Sequence, residues 1–311
     1  MEGEGAYYHV INRGNYRRDI FGDEGAKQAF LACLEEACEK SGWVVHAWCA
    51  MSNHYHLALE TPRANLVQGM KWLQTTFAAR FNRYRTENGH LFQGRYKSLY
   101  VEAGPGLGAL CHYIHLNPVR AKLCGVAQLG HWPWTSFSWL QDPRRRASWY
   151  QPAVALTQAG NLADNSDGRQ AYGTFLEWVT ANGPAQRQLG FEKMSKGWVI
   201  GSAAFKKELI GEHREKIARK NLQDPEWQEA QDAFLQTKLR GMLRSAKKTE
   251  TDAKADRKGA AWKVELAGKM KEQTTATNRW LTARLNLGSI HEASRKIAAW
   301  SRRYGTHAFK S

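Results

Sequence analysis

The apolar and polar positions change period several times in the first 120 residues, and each change marks an element. Tyr7 to Asn12 predicts a first strand, closed by Arg13-Gly14-Asn15. Phe30, Leu31 and Leu34 carry helical spacing across Asp23 to Lys40, with Asp23 as the N-cap and Ser41-Gly42 as the stop. Trp43 to Met51 is β-prone, Ser52-Asn53 is a turn signal, and His54 to Glu60 is a returning strand closed by Thr61-Pro62. Together these runs predict an antiparallel hairpin. Leu66, Met70, Leu73, Phe77 and Phe81 then predict a long amphipathic helix over Leu66 to Tyr84. Gly89 to Tyr100 is expected as a loop rich in basic and aromatic residues. Leu107 to Leu116 predicts a short helix that must end near Pro118, because the residue before proline avoids helical angles. Trp132 to Ser136 is irregular. The order β-α-β-β-α and a further helix predicts an α+β fold, an antiparallel sheet packed with helices.

Periodicity weakens from Asp142 to about Ser202. Asp142 to Pro152 is expected as a surface excursion and the remainder as a partly helical connector. From Phe205 onward the chain is helical and basic. Ala246 to Gly259 is polar, expected as a solvated helix or linker, and apolar periodicity returns from Trp262 to Trp300. The expected organisation is therefore a domain over residues 1–140, a connector over 141–205, and a basic helical region over 206–311.

Charge sharpens this division. The net charge is +16, which makes a polyanion the natural partner. Residues 1–150 hold 17 Lys and Arg against 12 Asp and Glu, residues 151–205 hold 4 of each class, and residues 206–311 hold 24 against 13. No stretch approaches the roughly 18 apolar residues of a membrane span. Met1 to Gly5 lacks a basic-then-apolar leader pattern, so a cytoplasmic, nucleoid-associated location is expected. The cysteines at 33, 38, 49, 111 and 124 form no CxxC pair and are expected as buried thiols rather than disulfides or a zinc site.

Two short constellations can carry chemistry. On a strand, His54 and His56 of His54-Tyr55-His56 face one way and Tyr55 the other, so two imidazoles can bind one divalent metal together. The same triplet also suits two polar residues on a solvent-facing strand. Tyr113 and Asn117 lie four apart and share a helix face, which would bring a phenol and an amide oxygen to one place. Hard divalent cations take oxygen donors, so the amide is a candidate third ligand. Core packing of Tyr113 and helix-end capping by Asn117 fit the spacing equally well.

The ordered set HYHLALETP, FQGRYKSLYVE, YIHLNPVRAKL and HWPWTS, preceded by YHVINRGNYRRDIF, resembles the HUH single-tyrosine transposases, and most of all their REP-associated tyrosine transposase (RAYT) branch. The resemblance spans roughly residues 6–140. It implies a ferredoxin-like HUH nuclease fold, metal binding by His54 and His56, attack on DNA by Tyr113, and a further metal ligand at Asn117. The implied activity is metal-dependent cleavage and rejoining of single-stranded DNA, with hairpin or palindromic repeats as substrate, Mg²⁺ or Mn²⁺ as cofactor, and a 5′-phosphotyrosine intermediate. A non-catalytic DNA-binding regulator derived from a transposase, or a replication or mobilisation nickase, would use similar parts.

Basic and aromatic residues flank these motifs in sequence. Arg13, Arg17 and Arg18 follow the first strand, Arg95, Tyr96 and Lys97 stand in the loop, and Arg120 and Lys122 follow the helix. Such alternation suits phosphate contacts combined with base stacking. Near the C-terminus, Gln273 to Leu285 reads as a helix after a polar start, and with a Gly-containing turn and a second helix over Ile290 to Arg302 it outlines a candidate helix-turn-helix at 273–302. Its expected DNA contacts are Ser289, His291, Ser294, Arg295 and Lys296. A helical hairpin that merely packs would read the same way.

Overall fold

The computed structural model describes residues 2–212 and 225–304. The chain divides into two compact units, Met1–Phe205 and Lys206–Ser311.

The first unit is α+β. Its strands are β1 (Ala6–Arg13), β2 (Val44–Ala50), β3 (His54–Thr61), β4 (Lys97–Val101) and β5 (Val199–Ile200), in the sheet order β2-β3-β1-β4-β5. All pairs are antiparallel except β4 with β5. The helix α1 (Glu24–Ser41) starts where Asp23 accepts a hydrogen bond from the Ala26 amide. It ends at Gly42, whose φ of 69° is the left-handed conformation that glycine adopts without a Cβ clash. With α2 (Leu66–Arg85) it covers one sheet face. Tyr55 points to that face and packs against Phe21 and Phe30. Burying such aromatic rings gives the layer much of its hydrophobic stabilisation.

The opposite face carries the residues one step out of phase: His9 and Ile11 on β1, His54 and His56 on β3, and Leu99 on β4. The register sets this, since Ile11 pairs with His56 and Arg13 with His54. This face is covered by α3 (Pro105–His115), followed by the single turn α4 (Asn117–Arg120). The further short helices are α5 (Val126–Leu129), α6 (Ser136–Gln141), α7 (Ala153–Gln158), α8 (Ser166–Ala181) and α9 (Gly183–Gln188). A last helix, α10 (Ala203–Glu212), contains the division between the units.

Three expectations are corrected here. Residues 97–101, expected as loop, form β4, which pairs with β1 through Val10 and Ser98 among others. Asp142 to Pro152 is a surface excursion only in its first half: Pro143–Arg145 are exposed, but Trp149 and Tyr150 are buried, and the amide of Val45 donates to the Trp149 carbonyl. The expected connector lies inside the core of the first unit, with Leu156, Tyr172, Leu176 and Phe191 buried against α3 residues such as Leu110 and Ile114. Its apolar positions are spread over helices of 16 residues and fewer, too short for a long periodic signal.

A buried polar chain ties α3 to this layer. Tyr172 Oη lies 2.9 Å from His112 Nδ1 and 2.8 Å from His115 Nδ1, and His115 Nε2 lies 2.9 Å from Ser136 Oγ. Buried polar groups are tolerated when they satisfy one another in this way, and the bonds fix the helix in one position.

The second unit is helical where described: α11 (Pro225–Ser245), α12 (Glu250–Ala255), α13 (Ala261–Gln273), α14 (Asn278–Leu285) and α15 (Ile290–Tyr304). Thr249 and Asp252 form a reciprocal capping box at the start of α12. Lys263, with 0% exposure, donates to the Ala253 and Asp256 carbonyls at the other end of that helix, at 2.8 Å each. The stretch expected as a solvated helix or linker thus contains the helix α12, mostly exposed, with Ala253 buried. Gly268 lets α13 meet α15 closely, because a Cβ there would stand 2.0 Å from the Trp300 ring. After the polar start at 274–277 the expected helix begins at Asn278, capped by Thr277, while Gln273 ends α13. The turn after Leu285 uses Asn286 with φ 50° and Gly288 with φ 92°.

Candidate active site

The sheet face under α3 brings together residues far apart in sequence. His54 and His56 sit on β3 with ring centroids 5.0 Å apart. Tyr113, near the end of α3, places its ring 5.9 Å from His56 and 6.0 Å from His9 on the neighbouring strand. The pair is not solvent-facing: His56 is 3% exposed, Tyr113 is 8% exposed, and His54 is partly covered. His9 was not anticipated from sequence. Its place on this face follows only once the β1–β3 register is known.

A 3-10 turn at Phe191–Lys193 and the residues after it close the site from above. The Phe191 ring meets Tyr113 edge-on at 5.6 Å. The Met194 carbonyl lies 2.7 Å from His9 Nδ1, and Ser195 Oγ lies 3.2 Å from the phenol oxygen of Tyr113. The Ser195 carbonyl also accepts from Lys97 Nζ at 3.2 Å. No local pattern in the sequence marks these residues, because every contact spans at least 78 positions.

Burial controls the electrostatics. Desolvation holds His9 down to about 3, against some help from the Met194 carbonyl. It holds His54 down to about 4, with Arg13 adding to the effect. His56 is held well below its ordinary value, first by burial and then by His9, His54 and nearby arginines. All three imidazoles are therefore neutral near pH 7 and keep a lone pair for a ligand or a hydrogen bond. His54 Nδ1 meets Asn53 Oδ1 at 2.7 Å, which directs its Nε2 outward.

Asn117 follows the C-cap of α3, and its amide nitrogen donates to the Tyr113 carbonyl at 3.2 Å. The side chain thus caps the helix end, with its oxygen left as an acceptor. Among the described residues, no group of three or more His, Cys, Asp or Glu is arranged to hold a metal. The donor set that does exist is two neutral imidazoles on one strand. That suits a divalent ion whose remaining positions are filled by oxygen donors from Asn117, water or a phosphate.

Cationic side chains gather around this face. The Arg120 guanidinium lies 4.8 Å from the centre of the Tyr113 ring and 5.4 Å from that of Phe191. Arg13, Gln93, Arg95 and Lys97 line a shallow groove beside β1, and Tyr96 lies between two of them in sequence. Arg17 is exposed, Arg18 pairs with Glu87, and the adjacent Tyr16 is 94% exposed. Lys122 is exposed in the turn after α4. In the second unit, His291 and Arg295 are exposed on α15, whereas Lys296 pairs with Glu292 at 2.6 Å. Ser289 caps the start of α15 through the Glu292 amide, and Ser294 Oγ accepts from Asn278 at 2.7 Å.

Residues 4–117 match the family model described as Transposase IS200 like. The family read from the motifs is thus the family matched. No curated protein matches the chain in sequence. A solved structure, that of a REP-associated tyrosine transposase bound to a REP hairpin, is 16% identical with a TM-score of 0.39. It covers 49% of this chain and 86% of that one. No described helix is long and apolar enough to cross a membrane.

Proposed function

We propose that the first unit cleaves and rejoins single-stranded DNA by nucleophilic attack of Tyr113, in the manner of the REP-associated branch of tyrosine transposases. The observation that carries this reading is the position of Tyr113, 5.9 Å ring to ring from the second histidine of the HxH pair. Tyr113 Oη attacks the scissile phosphorus, and the bond to the 3′ oxygen breaks. The tyrosine loses its proton, the departing oxygen gains one, and a 5′-phosphotyrosine with a free 3′-hydroxyl results. The covalent link conserves a phosphodiester for the rejoining step. Ser195 Oγ orients the phenol, and Arg120 keeps a positive charge beside the arriving phosphate. A divalent cation, Mg²⁺ or Mn²⁺, held by His54 and His56 with Asn117 as a further oxygen donor, would polarise that phosphate and offset its developing charge.

Arg13, Arg95, Tyr96 and Lys97 are read as the path of the strand into the site. Arg17, Arg18, Arg120 and Lys122 lie along its flanks, and Tyr16 offers a stacking surface. The basic second unit adds affinity, with His291, Arg295 and Lys296 on α15 as its candidate contacts. Hairpin-forming repeats are the proposed substrate class, in the cytoplasm on the nucleoid. The test is incubation of labelled single-stranded hairpin DNA with Mg²⁺ and either the wild type or Tyr113→Phe. A covalent adduct is expected from the wild type alone, with binding by the variant within about twofold, since only a hydroxyl is removed. Binding without any adduct in the wild type would make the protein a non-cleaving DNA-binding regulator.

A further inference from the structure

His56 reaches the site at the end of a two-step hydrogen-bond relay that begins on the backbone of the closing loop. The Met194 carbonyl can only accept, so the atom facing it at 2.7 Å, His9 Nδ1, carries a proton. His9 is wholly buried, an environment that favours the neutral ring with that one proton. Its Nε2 then holds a lone pair, 2.9 Å from His56 Nδ1. His56 must donate from Nδ1, and its Nε2 is left bare. The reverse arrangement would oppose the lone pairs of His9 Nδ1 and the Met194 carbonyl. On the neighbouring ligand, the Asn53 amide nitrogen donates to the Arg17 carbonyl at 3.3 Å. Its oxygen is thereby turned to accept from His54 Nδ1.

We infer that His9 is a positioning residue that locks His56 in the Nδ1-protonated tautomer, so that the lone pair of Nε2 faces the incoming cation. The need for a lock is chemical. A neutral imidazole without a partner favours the proton on Nε2, which would direct a hydrogen at the metal position. Partners beyond the ligands that fix ring tautomer and orientation typically change metal affinity about 10–100-fold. Asn53 does the same for His54 from the solvent side. The two ligands are therefore oriented independently, one from the closing loop and one from the β2–β3 turn.

The inference rests on the proposed metal role of His56, and its test separates the two. The ¹⁵N shifts of the His56 ring in the metal-free protein report the tautomer directly. Nδ1–H is expected in the wild type. His9→Gln retains an amide oxygen and an amide N–H for the two bonds, and is expected to keep it. His9→Leu removes both bonds and is expected to move His56 toward Nε2–H. Mn²⁺ titrated against the metal-free proteins and followed by electron paramagnetic resonance should bind about 10-fold or more weakly to His9→Leu, with His9→Gln within about threefold of the wild type. Asn53→Ala should move the His54 signals and leave those of His56 in place. Nε2–H at His56 in the wild type overturns the inference, and that measurement stands even if His9→Leu fails to fold. Unchanged tautomer and affinity in a folded His9→Leu protein overturn it as well. A wild type with the expected tautomer and no Mn²⁺ binding would refute the metal reading and leave the lock intact.

Discussion

The first unit hides histidines, tyrosines and tryptophans in its interior, whereas the second packs mostly leucine and alanine, among them Leu239, Leu266, Leu281 and Leu285. The first is built around a sheet whose alternate residues have fixed directions. The second is built from helices held by caps and aliphatic contacts. Their charge differs too, since residues 206–311 hold 24 basic and 13 acidic side chains against 21 and 16 over residues 1–205. Chemistry that depends on ångström placement belongs with the stiff, polar-cored unit. Sequence-independent attraction for a polyanion needs only charge on a surface. The contrast teaches that a core can be organised for precision at the cost of tolerance to conditions, and it can be broken in several ways.

Acid should give the largest effect. His9, His112 and His115 are each held to about 3 by burial, His54 to about 4, and His56 well below its ordinary value. The unfolded chain takes up these protons near 6.5, so the folded state is favoured above that pH. Stability is lost as pH falls from 6.5 toward the folded values. In that window each group contributes a slope of up to about 1.4 kcal/mol per pH unit. Hydrogen exchange followed from pH 7 to pH 4 should show the first unit opening before the second. Simultaneous opening would count against the difference in cores.

Next in size is His54→Ala. Loss of one of two imidazole donors is expected to lower metal-dependent cleavage by about 100-fold while leaving DNA affinity nearly unchanged. A gel assay that separates covalent from retarded DNA reads both. Deleting residues 206–311 should do the converse. Affinity is expected to fall about 10-fold near 0.1 M salt, with a shallower dependence of log K on log salt, while some cleavage survives. Circular dichroism of the shortened chain comes first, and a folded product with unchanged affinity and slope would remove the DNA-binding role from the second unit. The smallest effect is Thr249→Ala. Breaking the capping box should cost about 1 kcal/mol in the second unit, seen in denaturant melts, with cleavage rate unaltered.

The parts of the fold written in local patterns were legible. The first hairpin, α1 with its Asp23 cap, and α2 announce themselves because each is long enough to repeat its own period. His54, His56 and Tyr113 could be singled out by residue type, spacing and the family motifs, and the fold brings them to one sheet face. β4 and β5 were not, at five and two residues, because neighbouring strands define them more than their own composition does. His9 could be placed only through the pairing of Ile11 with His56. Met194 and Ser195 act through a carbonyl and a hydroxyl in an irregular loop, where residue identity carries almost no information. The family match ends at residue 117, so the closing loop lies outside it.

That loop also sets a timetable. The hydrogen bond from His9 to Met194 joins residues 185 positions apart, so the wall over Tyr113 belongs to the last part of the first unit to be synthesised. Chains lengthen at about 5–20 residues per second. Tyr113 and Ser195 lie 82 positions apart, so for about 4–16 seconds the strand and helix that bear His56 and Tyr113 exist without the roof over them. A chain cut short before that point lacks the contacts that Met194 makes with His9 and Ser195 with Tyr113, so the face under α3 is left without its cover.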